Sequence, residues 1–190
     1  MKCFGNHGER NGTCGSLADW FGLGELPADD RVRQLLDYAL ELAVQFMSFN
    51  ASIRFVKHPL VCEACVERNE RGEPTIMTTP AFMAMIMRRF GEWAVVGIFL
   101  HELAHIALGH LDQGEPRTSI ESMGRESAAD AWALKATIRG RGNVNPFIAF
   151  LGTTGSGGGS HPPGRMRAEL ALEFARREIA RLLLRRSLAV

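Results

Sequence analysis

The sequence predicts an α+β domain that is mostly helical, with a small antiparallel sheet lying beside one central helix. Three observations point there. Apolar residues recur at three- and four-residue steps along most of the chain, two short stretches alternate polar with apolar residues, and a seven-residue apolar run at 94–100 sits inside a helical pattern. At 190 residues, the chain is long enough to bury roughly 70% of its unfolded surface, so its core needs no disulfides or obligatory partner.

Composition narrows the classes. The chain is 46% hydrophobic and 23% charged, with 22 basic and 21 acidic residues. That balance excludes disorder, collagen-like repeats and a disulfide miniprotein. A net charge of +1 argues against nucleic acid held on a whole basic face. No apolar stretch follows Lys2, and the 94–100 run is far below membrane-spanning length. The expectation is therefore a cytoplasmic protein with no signal peptide or transmembrane segment. Nothing in the sequence speaks to its oligomeric state.

The elements follow in order. Residues 1–26 carry six glycines and two cysteines without periodicity and predict an irregular arm ahead of one domain spanning 27–190. Val32, Leu35, Leu36, Ala39, Ala43, Phe46 and Met47 mark one face of a helix over about 29–48. Alternation predicts strands at 52–56 and 74–78, flanking Cys62 and Cys65. Thr79 and Pro80 form a cap and first position for a Met-rich helix that Gly91 ends. Further helices are expected over about 92–111, 121–138 and 146–151. The tract from Gly152 to Ser160 reads as a mobile loop able to gate a cleft. A last helix at 165–186 is expected to turn Ala168, Ala171, Leu172, Ala175, Ile179, Leu182 and Leu183 inward, with Arg177, Arg181 and Arg185 outward.

The chemistry concentrates in His101-Glu102-Leu103-Ala104-His105. Four-residue spacing puts both imidazoles on one helix face, where they can grip one ion, and neutral imidazole suits Zn²⁺. Glu102 is rotated about 100° from His101, so it misses the ion but can reach a water beside it as a general base. Two histidines leave the ligand set short. Glu126, in Arg125-Glu126-Ser127-Ala128-Ala129-Asp130 on the next predicted helix, supplies a third ligand. Asp130, one turn further, can accept the second ring N–H of a ligating histidine, most readily His101, and fix its tautomer. His110 lies five residues past His105, and its simplest role is to favour the helix C-terminal dipole.

These residues resemble the gluzincin metallopeptidases, whose pattern is His-Glu-x-x-His followed by Glu-x-x-Ala-Asp. His161-Pro162-Pro163 with Arg167 resembles the signature of the HtpX-like and CAAX-prenyl protease family within that group. The similarity covers about residues 74–170. It implies a zincin-like fold, one catalytic Zn²⁺ on His101, His105 and Glu126, Glu102 as base, and Asp130 behind the ligands. It further implies that His161 and Arg167 line the site as catalytic donors to an oxyanion or to the substrate backbone. Alternatively the two prolines shape a turn and Arg167 pairs on the surface with Glu169 or Glu173. Ile76-Met77-Thr78-Thr79 resembles that family's edge strand, which would pair with an extended protein or peptide substrate. The family's transmembrane helices have no counterpart, so its membrane substrates do not transfer. The stretch 101–110 also resembles the ImmA/IrrE proteases that cleave bacterial repressors, an alternative at the level of substrate.

Cys3, Cys14, Cys62 and Cys65 could hold a second, structural Zn²⁺, remain thiols, or form two disulfides after export. A function of another class, a non-catalytic adaptor binding DNA or a membrane surface, rests on the last helix, with seven arginines against three glutamates from residue 165 onward.

Overall fold

The computed structural model describes residues 28–57, 64–155 and 162–187. The expected arm at 1–26, Cys3, Cys14, Cys62, His161 and residues 156–160 of the glycine tract lie outside the described residues. The described chain runs α1 (Ala28–Met47), β1 (Arg54–Lys57), β2 (Ala64–Arg68), β3 (Pro74–Thr78), α2 (Pro80–Phe90), α3 (Glu92–Ala107), α4 (Ser119–Arg139), α5 (Asn145–Leu151) and α6 (Gly164–Ser187). It is a mostly helical α+β arrangement with one small sheet.

The centre is α3. Every residue from Ala94 to Ala104 is buried, which is why its sequence is apolar all round rather than on one stripe. Helices α1, α2, α4 and α5 and strand β2 all pack on it. A Cβ on Gly97 would lie 2.4 Å from the Phe147 ring, so this glycine is what lets α5 approach. Thr79 caps α2 by accepting from the Phe82 N–H at 3.3 Å, and Pro80 opens the helix, as the sequence predicts.

The sheet differs from the expectation. Its order is β1-β3-β2, with β3 antiparallel to β2 but parallel to β1. The chain passes from β1 to the far side as β2, then turns back at Asn69–Glu73 into the gap between them, so β2 serves as the crossover that parallel pairing requires. A third strand, β2, therefore contains Cys65. Strand β3, expected at an edge, is central and hydrogen-bonded on both sides.

One more correction concerns an end: helix α3 stops at Ala107 rather than near 111. Where the glycine tract begins, the Thr153 and Thr154 hydroxyls each donate at 2.7 Å to α5 carbonyls and the Gly164 N–H donates to the Gly155 carbonyl at 3.0 Å.

Helix α6 packs on α4 and α5, but with a different face inward than hydropathy suggests. Arg167, Ala171, Ala175 and Glu178 are buried, while Leu172, Ile179 and Leu183 are exposed. Both buried charged residues have partners: Arg167 pairs with Asp130, and Glu178 with Arg139 and Arg181.

Candidate metal centre

The packing of α3 against α4 sets the site. His101 and His105 stand one turn apart on α3, and the facing surface of α4 carries the small buried residues Ser122, Ala129 and Ala133 beside Glu126 and Asp130. Small side chains let the helices come close, and the polar groups then meet. One ligand atom each from His101, His105 and Glu126 lies within 4.8 Å of the others. The two Nε2 atoms are 3.0 Å apart. Glu126 Oε2 is 3.3 Å from His101 Nε2, and Oε1 is 3.6 Å from His105 Nε2.

These spacings fit a metal ion. Ligand atoms 2.0–2.1 Å from a tetrahedral zinc are separated by about 3.3 Å, and the three observed distances bracket that value. The donor set fits as well. Glu102, Glu126 and Asp130 are three buried carboxylates, and the Arg167 guanidinium senses all three. With both imidazoles neutral, as ligation requires, three ionised carboxylates against one guanidinium would leave an excess of two negative charges, which a divalent cation would balance.

Behind His101 stands an ordered charge relay of position. The His101 Nδ1–H donates to Asp130 Oδ1 at 2.9 Å. Asp130 in turn accepts from Arg167 Nε at 2.8 Å and Nη2 at 2.6 Å, the two-pronged geometry that guanidinium and carboxylate form best. Burial favours neutral His101, but hydrogen bonds and charge from Asp130 and Glu126 outweigh it and hold the ring's pKa up at about 9. His105 goes the other way. Burial, then the His101 charge, push it down to about 3, opposed by Glu126. Burial would raise the Asp130 pKa, yet Arg167 and His101 outweigh burial and lower it.

Arg167 is thus not a surface residue: it is 2% exposed and clamps Asp130. The surface partners considered for it are taken by others, Glu169 by Arg165 and Glu173 by Arg177. Cys65 is buried in β2 with Met77. Sequence reasoning pointed His110 away from the site and missed the part played by Arg125. His110 does not extend α3; its Nδ1 lies 3.0 Å from His105 Nδ1. Arg125 fastens the turn after α3 to α4 by donating to the Gly114 carbonyl at 2.8 Å. The signal for His110 was Gly109, at the position where a left-handed residue closes a helix.

The described residues thus contain a buried two-histidine, one-carboxylate cluster able to hold a metal ion. Comparison with family models, with curated proteins and with solved structures returns no match for this chain. No helix among the described residues is long and apolar enough to cross a membrane.

Proposed function

We propose that the chain is a zinc-dependent endopeptidase in which His101, His105 and Glu126 hold the ion and Glu102 is the general base. The observation that carries this reading is the convergence of two imidazoles and a carboxylate from different helices, with buried Glu102 one residue beyond the first ligand. Zinc bound there would supply Lewis acidity, polarising a carbonyl and lowering the pKa of a water to about 7. Glu102 accepts the proton of the attacking water and delivers it to the leaving nitrogen, so neither hydroxide nor an amide anion forms free. Asp130 and Arg167 act from behind, keeping the His101 ring oriented. The choice of a peptide as substrate rests on the resemblance to gluzincins, and an ImmA/IrrE-like regulatory protease would use the same chemistry on a repressor.

The test compares zinc-loaded wild type with Glu102→Gln on a fluorescently labelled unfolded protein. Cleavage is expected to fall by about 10²- to 10⁴-fold, with one equivalent of zinc retained by both. Equal cleavage by the two proteins, or none by zinc-loaded wild type, would overturn the reading. One observation favours the adaptor instead: Ile179, Leu183 and Leu184 are exposed on α6 beside Arg177 and Arg181. Binding of Glu102→Gln to anionic vesicles, weakening with salt, would support it.

A further inference from the structure

We propose that His110 is a positioning residue for the metal centre, the partner that fixes the ring of His105 as Asp130 fixes that of His101. The inference rests on the metal-site reading above.

It starts from how α3 ends. Gly109 has φ +69°, its N–H donates to the Ile106 carbonyl at 3.0 Å, and the His110 N–H donates to the His105 carbonyl at 2.9 Å. That pair of bonds is a Schellman motif, whose geometry brings the second residue past the helix back against the residue five before it. Such motifs commonly place two apolar side chains in contact there. Here both are histidines. Their ring centroids are 5.0 Å apart, and the two Nδ1 atoms face each other at 3.0 Å.

The tautomers follow from the geometry. His105 turns Nε2 toward His101 and Glu126. A ring that gives its Nε2 lone pair to a metal and stays neutral carries its proton on Nδ1. The His105 Nδ1–H therefore donates to His110 Nδ1, and His110 keeps its own proton on Nε2. Orienting partners of this kind fix both tautomer and direction of a ligating imidazole. His110 is itself held by Arg125, whose Nη1 donates to its carbonyl at 3.4 Å and whose Nη2 donates to Glu121 Oε1 at 2.6 Å. One helix, α4, thus supplies the carboxylate ligand, the partner of His101 and the tether of His105's partner.

The experiment titrates Zn²⁺ into metal-free full-length protein against a chromophoric chelator, for wild type, His110→Ala, His110→Phe and His110→Gln. The phenylalanine keeps a ring against His105 but has no acceptor, whereas the glutamine offers an acceptor oxygen. Alanine and phenylalanine are expected to weaken zinc binding about 10- to 100-fold at unchanged stoichiometry, with glutamine recovering much of the loss. A residue needed only to close the helix would lower the melting temperature of the metal-free variants and leave zinc affinity untouched, which would overturn the proposal. So would equal weakening by glutamine and phenylalanine. Wild type that binds no zinc would sink the metal-site reading itself, whereas tight wild-type binding shared by every variant would remove only the role of His110.

Discussion

Asp130 carries two duties at once, because one carboxylate answers both a ligating imidazole and a buried guanidinium. Asn in its place keeps an acceptor but loses the charge, so Asp130→Asn is expected to bind zinc about 10- to 100-fold more weakly. Alanine does further damage. It leaves Arg167, 2% exposed, as a buried charge without its partner, which costs about 3–5 kcal/mol. Chelator competition reads the first effect and denaturant unfolding of the metal-free protein the second; wild-type values in both would refute this account of the pair. Both imidazoles must be neutral to bind a metal, so zinc affinity is expected to fall on acidification.

At the scale of the element, α4 is the helix whose ends matter, since it presents Glu126 and Asp130 to α3. Its first turn is capped by Thr118, which accepts from the Glu121 N–H at 3.1 Å, while Glu121 accepts from the Arg117 N–H at 2.9 Å. Thr118→Ala is expected to cost about 1 kcal/mol, measured as a lower denaturation midpoint. The Arg117 N–H, then Arg125, hold the Glu121 pKa below its ordinary 4.5. A lowered folded value means the carboxylate stabilises the native state fully above pH 4.5 and loses that contribution as pH falls through the folded value. The stability difference between wild type and Glu121→Gln should accordingly shrink as the solution is acidified below that point; a constant difference would contradict the assignment. Helix α6 teaches a separate lesson. Its buried face holds Arg167 and Glu178, so a reading by hydropathy places Leu172, Ile179 and Leu183 inward when they are exposed. Apolar periodicity finds that a helix exists, but paired buried charges rotate the face it buries.

Over the whole molecule, the proposed ion would join α3, the buried axis on which most other elements pack, to α4. A ligand that binds only the folded state stabilises it by mass action, about 2.7 kcal/mol at a hundred times its dissociation constant. Zinc is thus expected to raise the unfolding temperature, a chelator to reverse the rise, and Glu126→Ala or His105→Ala to abolish it. A melting temperature indifferent to zinc in wild type would mean that the two helices are not joined in this way.

What the chain determined on its own is local. Helix positions, the Thr79 cap and the one-turn spacing of His101 and His105 depend on neighbours within a few residues, so they are legible in order along the sequence. The joining of Glu126 to the two histidines was also inferable, because an incomplete ligand set demands a third donor and few carboxylates follow on a helix with small neighbours. The tertiary structure alone decided the rest. Strand order depends on which gap β3 enters, the inward face of α6 on a charge partner 37 residues away, and the place of His110 on a left-handed glycine that turns the chain back. Each is settled by backbone geometry or by long-range pairing, and neither leaves a periodic trace in the residues themselves.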